Sequence, residues 1–373
     1  LAPDRPNHAI MGSRLETKFN LFRSLVAAID DAIVLWNGLQ RLEVVSVTLD
    51  QDRDEPQLVF ESMNSTGLDL ETSDLVRNYM LMGCSMAEQK TLYEDYWLPM
   101  ERVLGNLSFD AFLHDWMVVT LKKPVTKGRA MYAEFKCFAA DSSLPRMERT
   151  RNLLANMLEY AKYYAAIRGV YAAGSGDMNV DRRLESIQNL VSTVTDPLVM
   201  YMFAAWKRDR VSCDGLLRML ADLESYLFRR MICSVSSNGL NKLVPSLIVR
   251  LDSAEDDLAE TFAALLITET AKATRMPTDS EFRQSLLGEN VYRPAWRCKY
   301  LLAGLENYTH PKDPRSFNEY TIEHIMPQNA MMHAEWRNML ADPDRFPLLV
   351  NSLGNLTLTG YNAELAAGTY ARR

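Results

Sequence analysis

The sequence predicts a mainly α protein: a multi-helical domain followed by a small ββα unit of the kind that holds a metal ion. Two observations carry that prediction. From about residue 86 to residue 308, apolar side chains recur at spacings of three and four, the period of helices with one buried face. Near residue 309 the period breaks, and loop, short strand, glycine-led strand and helix follow in turn. A chain of 373 residues has room for two or three domains. The divisions fall at 1–85, 86–308 and 309–373.

Taken in order, residues 15–41 read as a helix through Phe19, Phe22, Leu25, Ile29 and Ile33. LEVVSVTLD then suggests a strand, and LVFESMNSTG a second strand or a helical start that ends in a turn at Asn64–Gly67. The next helix takes Thr72 or Ser73 as N-cap, has Asp74 in its first turn, and buries Leu75, Val76, Tyr79 and Met80. Helical spacing recurs over 88–104, 108–121, 128–139, 147–170, 181–192, 196–208, 213–234, 256–271 and 291–307. Pro124, Pro145, Gly174, Gly176, Pro197 and Pro277 mark joints. The GSG at 174–176 resembles a phosphate-binding loop only superficially, with no strand before it and no Lys-Ser/Thr after it. Core packing accounts for the aromatics and methionines of these helices.

Composition narrows the function classes. Hydrophobic residues make up 47% and charged residues 24%, ordinary for a soluble globular protein. The five cysteines form no CxxC pair, which argues against a zinc site or a disulfide framework and fits a reducing cytoplasm. No apolar run is long enough to span a membrane, and the N-terminal residues lack the core of a signal peptide. The absence of an initiator methionine suggests a piece of a longer protein.

Net charge is −7, unusual for a protein that grips nucleic acid. The acidity lies outside the C-terminal segment: from residue 291 onward there are nine Lys or Arg and eight Asp or Glu, against 32 and 40 before it. Arg293, Arg297, Lys299, Lys312, Arg315, Arg372 and Arg373 are the candidates for a local phosphate-binding patch, although each also reads as an ordinary solvated side chain. Lys312, Arg315, Arg372 and Arg373 are the preferred DNA contacts.

Chemistry concentrates in TIEHIMPQ and NSLGNLTLTGYN. A histidine at a strand end, an asparagine on the returning strand and an asparagine opening a helix suit phosphodiester hydrolysis with one metal ion. His324 is the expected general base, since a neutral imidazole accepts a proton near neutral pH. A backbone carbonyl or Asn355 is expected to hold its other nitrogen. Glu323 and Asn362 offer the oxygen donors that suit Mg²⁺ or Mn²⁺. Neighbours in a strand point to opposite faces, so Glu323 and His324 share a site only if the strand bends or ends there, as Pro327 suggests. Taken singly, a strand histidine is usually a satisfied structural residue and an asparagine after glycine a turn residue. The joint pattern favours a nuclease. His333 reads as a loop residue, and His8, His114 and His310 have no recognisable partners in the sequence.

At these residues the chain resembles a family. IEHIMPQ, a spacer holding Trp336, and LGNLTLTGYN look like the C-terminal HNH (His-Me finger) domain of the GmrSD-type, modification-dependent Type IV restriction endonucleases. The resemblance implies His324 as base, with Asn355 and Asn362 at the matching positions and Glu323 as the acidic residue. It also implies cleavage of modified phage DNA. VFESMNSTGLDLETSDLVRNYML is similar to the segment closing the family's ParB-like N-terminal domain, with Asn64, Gly67, Leu70, Asp74, Arg77 and Asn78 matching, and FDAFLHDWM and MYAEFKCF resemble its helical continuation. The family's DGQQR motif does not occur, and Gly368 and Arg372 or Arg373 stand where it closes with Asn and Lys. The implied partners are DNA, a missing N-terminal domain or partner subunit, and a second copy in a homodimer. A non-catalytic DNA- or protein-binding module is the competing reading, and an RNase with the same site is a third.

Overall fold

The computed structural model describes residues 14–29, 31–44, 46, 70–141, 143–171, 174–190, 193–288, 290–310, 315–329, 331 and 334–360. Two compact units divide the chain, residues 1–59 and 60–373. In the first, the helix predicted over 15–41 is two helices, α1 (Arg14–Ala27) and α2 (Ala32–Leu39). Asp31 causes the break: its carboxylate accepts the Ile33 N–H at 2.9 Å and caps α2. Phe19, Phe22, Leu25, Ile29 and Ile33, which mark the apolar face of that helix, are exposed. Residues 42–44 and 46 form no strand. The remainder of that predicted strand, the second strand and the Asn64–Gly67 turn lie outside the described residues.

The second unit opens with α3 (Thr72–Leu81). Neither Thr72 nor Ser73 caps it. Asp110 does so from 37 and 38 residues away, accepting the Thr72 N–H at 3.0 Å and the Ser73 N–H at 2.7 Å. The helix therefore starts where a tertiary partner satisfies its orphan donors. Ser85 and Glu88 form a capping box for α4 (Met86–Leu92), which runs through a π-helical turn at Tyr93–Trp97 into α5 (Leu98–Leu104). There follow α6 (Phe109–Leu121), α7 (Arg129–Ala140), α8 (Arg146–Ile167), α9 (Met178–Gln188) and α10 (Asp196–Lys207). Every residue of α10 from Asp196 to Ala205 is buried, and α6, α8, α11 (Cys213–Ile232) and α12 (Leu240–Asp252) surround it. A helix apolar on all sides belongs at a domain centre. Trp97, Trp116, Phe112, Phe135, Phe203 and Phe262 fill the core around it.

α13 (Leu258–Thr268), α14 (Asp279–Gly288) and α15 (Ala295–Thr309) complete the helices before the C-terminal strands. The sequence reading omits α12 and α14. Pro245 sits inside α12, where a proline ordinarily marks a boundary. The GSG loop is closed by its own chain: Asp181 accepts the Ser175 N–H at 2.8 Å, so a carboxylate stands at the backbone donor that a phosphate would need. None of the described helices is long and apolar enough to cross a membrane.

The C-terminal end of α11 anchors the segment that leads to α14. Arg230, 3% exposed, donates to the carbonyls of Ser236 at 2.6 Å, Ala273 at 2.8 Å and Arg275 at 3.2 Å. The Tyr226 hydroxyl donates to the Thr274 carbonyl between them. A planar fork reaches several carbonyls at once, and a lysine ammonium does not. Arg230→Lys is therefore predicted to cost about 1.5–3 kcal/mol, measured as a lowered midpoint in equilibrium unfolding. An unchanged midpoint would mean that the fork is dispensable.

Candidate active site

Val291, Cys298, Leu301 and Leu302, on and just before α15, form a buried cluster with Ile232 of α11 and Leu356. Against it rests a two-stranded antiparallel sheet, β1 (Thr321–His324) and β2 (Leu356–Thr359). Ile322 pairs with Leu358 and His324 with Leu356, while Glu323 pairs with Thr357. Ile322 and Leu358 pack on the α15 cluster. By the pleat, His324 lies on that same face and Glu323 on the opposite one. Both are buried, at 8% and 7% exposure. β1 ends at His324, and the buried Pro327 follows the bend. The strand thus ends where a shared site for these two residues requires it to end.

His324 is held on several sides. The Tyr292 ring meets it edge-on, with centroids 4.6 Å apart and planes at 67°. Its Nε2 lies 3.0 Å from Asn351 Oδ1 and 3.3 Å from the Gln328 amide nitrogen. The Asn351 oxygen requires Nε2 to donate, whereas the Gln328 NH₂ requires it to accept. The shorter contact favours Nε2–H, and the lone pair of the neutral ring then sits on Nδ1. Asn351 is itself fixed, because its carbonyl accepts the Val291 N–H at 3.2 Å.

Asn355 does other work than expected. It is the last residue of a 3₁₀ turn, Leu353–Asn355, just before β2. Its side-chain oxygen accepts the Met326 N–H at 2.7 Å. Its NH₂ donates to the carbonyls of Met326 at 2.9 Å and Val350 at 2.8 Å. Its own carbonyl accepts the Ile325 N–H at 2.9 Å. Among the described residues the side chain that meets His324 in the expected place of Asn355 is Asn351. Met326, clasped on both backbone atoms, packs on the buried Trp336 with Leu340, Phe346 and Leu349. The spacer tryptophan is the core of the loop between the strands, which holds two short helices, α16 (Ala334–Met339) and α17 (Phe346–Leu349).

Residues 276–373 match the family model of the GmrSD restriction endonucleases, C-terminal domain. That segment is a GmrSD restriction endonuclease C-terminal domain. No curated protein matches the chain. The match gives the segment a nuclease role in restriction, with DNA as substrate class. It takes in α14 and α15 as well as the strands, so the helix beneath the sheet lies within the GmrSD C-terminal domain.

Asn362, Lys312, Arg372, Arg373 and His333 of the GmrSD domain lie outside the described residues. Among the described residues no three His, Cys, Asp or Glu side chains are grouped so as to hold one ion. Arg315 is exposed, and the Asn307 carboxamide holds its backbone, accepting its N–H at 2.8 Å and donating to its carbonyl at 3.2 Å. Lys299 donates to the Asn318 carbonyl at 2.8 Å. Arg297 is a correction. It is 9% exposed and donates to the carbonyls of Arg293 at 2.6 Å, Asn290 at 3.1 Å and Met231 at 3.4 Å. Its charge is taken up by backbone, so it anchors the segment that carries Tyr292 and does not face phosphate.

Sequence reasoning missed Asn351 and Tyr292. Asn351 stands four residues before Asn355 in NSLGN, so the segment offered two amides and only the second was assigned. Nothing local marks Tyr292. Replacing Asn355 with Ala removes three side-chain hydrogen bonds and is predicted to cost about 1–3 kcal/mol. Asn355→Asp keeps the acceptor for Met326 but sets a carboxylate oxygen against two carbonyls, and is predicted to be less stable than Asn355→Ala. Denaturant unfolding ranks the three proteins, and an aspartate variant as stable as wild type would contradict the clasp.

Proposed function

We propose that the C-terminal segment is an HNH-type, metal-dependent DNA endonuclease that cuts phosphodiester bonds in anti-phage restriction. His324 is its general base, and Glu323 and Asn362 hold one divalent cation, Mg²⁺ or Mn²⁺. The observation that carries the reading is the anchoring of His324 at the end of β1, its Nε2 3.0 Å from Asn351 Oδ1. A base needs one nitrogen fixed so that the other keeps its lone pair for the attacking water. Asn351 fixes Nε2, and Nδ1 takes the proton. Tyr292 keeps the ring from turning. The carboxylate and amide oxygens of Glu323 and Asn362 fit a hard divalent cation. When bound, the cation supplies charge neutralisation at the phosphoryl group and the leaving oxygen.

Arg315, Lys312, Arg372 and Arg373 position backbone phosphates, which sets register without reading sequence. Recognition of modified phage DNA is assigned to an N-terminal domain or a partner subunit, and a homodimer would present two such sites to a duplex. Residues 309–373 are then the cutting segment and 86–308 its helical carrier.

A second reading, a DNA- or protein-binding module that does not cut, draws on the 8% exposure of His324 and on the pleat that turns Glu323 to the other face. Cleavage decides between them. Plasmid and modified phage DNA are incubated with Mg²⁺ or Mn²⁺, with and without chelator. His324→Ala is predicted to slow nicking by about 10²–10⁴-fold with an unchanged circular dichroism spectrum. Equal cutting by both proteins would remove His324 from the mechanism. Asn351→Asp places a carboxylate beside Nε2–H and favours the charged ring. The acid limb of the rate–pH profile is predicted to move about one unit toward alkaline pH, and an unmoved limb would separate Asn351 from the base.

A further inference from the structure

Between α6, α8 and α10 lies a cavity of about 230 Å³ that the nuclease reading does not use. Its floor includes the buried Tyr160, Tyr201 and Ala204. Lys122, Arg208 and Arg210 also line it, together with the single acid Asp252, and their side chains are 35–47% exposed. An apolar, aromatic floor below a few convergent polar groups is the usual anatomy of a small-molecule site.

The charges do not cancel within the lining. Asp252 accepts from both Lys122 and Arg210, the latter at 3.1 Å, so one carboxylate serves two cations. Arg208 pairs at 3.0 Å with Glu159, which is not a lining residue, and its guanidinium stands 5.6 Å from the centre of the Tyr160 ring. Asn156 adds a donor: its oxygen accepts from Trp116 Nε1 at 2.9 Å, and its NH₂ has no partner among the described residues.

We propose that this cavity binds a small phosphate monoester. Guanidinium groups match oxyanions with paired hydrogen bonds, and a phosphate uses the single positive charge that Asp252 and Glu159 leave unmatched among Lys122, Arg208 and Arg210. In a chain of net charge −7 such a surplus is local and selective. The tyrosine floor suits a planar ring beside the phosphate. At about 230 Å³ the cavity is small, which suits a ligand no larger than a phosphate with one ring system. A free mononucleotide and the phosphorylated end of a nucleic acid share this chemistry.

Calorimetric titration of the full chain tests it. The probes are inorganic phosphate, a nucleoside 5′-monophosphate, the same nucleoside without phosphate, and one oligonucleotide with and without a 5′-phosphate. The monophosphate binds saturably and the nucleoside does not. A preference for the phosphorylated oligonucleotide over the free monophosphate identifies the source as a nucleic-acid end, and the reverse identifies a free nucleotide. Asn156→Asp keeps the acceptor for Trp116 and replaces the donor with a negative charge. Arg208→Gln removes a cation. Both are checked for an unchanged melting temperature, with Arg210→Gln in reserve for a variant that fails this check. Each folded variant weakens binding about tenfold or more. Absence of saturable binding of any phosphate-bearing probe, or wild-type affinity in the folded variants, overturns the proposal.

Discussion

One carboxamide sets the shape of the strand end on which the site depends. After His324 the chain leaves the sheet, and residues 325 and 326 lose the ladder that would satisfy their backbone groups. Asn355 replaces it, through its side chain at Met326 and its own carbonyl at Ile325. The third bond, to Val350, ties the far end of the loop to the same point. An asparagine suits the position because it both donates and accepts within one rigid plane. Leucine would leave three backbone groups unpaired, and aspartate would repel two of them. The clasp also places Met326 on Trp336, so the loop between the strands gains its small apolar core from the same bond.

The clasped hairpin rests on the helical region through two kinds of contact. Apolar packing joins Ile232 of α11 to Cys298, Leu301 and Leu302 of α15, and these to Leu356 of β2. Two buried guanidiniums hold the backbone around that packing. Arg230 fastens the chain before α14, and Arg297 links Met231 to residues 290 and 293. A buried charge is costly unless its donors are met, and here carbonyl oxygens meet most of them. The fork geometry makes each arginine a joint between segments distant in sequence. Arg297 thereby supports Val291 and Tyr292, and through them Asn351 and His324.

What was legible follows from the range of the forces involved. Helical periodicity is local, so most of the helices from 86 to 308 were readable from spacing alone. The strands were readable because TIEHI and NLTLT carry β-branched residues beside a proline and a glycine. Capping proved less local: α3 takes its cap from Asp110, which no window around Thr72 contains. The break at Asp31 was a local signal that the apolar run concealed. Arg297 was misassigned because an isolated arginine reads as solvated, and only tertiary structure reveals carbonyls arranged to receive it. Asn355 was placed correctly in the chain and given the wrong partner, since a sequence supplies residue types and not the atoms they bond.

The pleat imposes the last constraint on the proposed site. His324 faces the α15 side of the sheet and Glu323 the other, so a single phosphate cannot meet both across the flat of β1. It can meet both only around the end of the strand, where the ladder stops and the chain turns under the Asn355 clasp. In the proposed mechanism Nε2–H is committed to Asn351, and the nitrogen that would take the proton is Nδ1, on the Cβ side of the ring and nearer the backbone at which the strand ends. The opposite tautomer would set the lone pair against the Asn351 oxygen and leave it only the longer contact from Gln328. Asn351, which meets His324, and Asn355, which clasps the chain after the strand, come from one five-residue segment, NSLGN, and a change in the length of that segment would uncouple them.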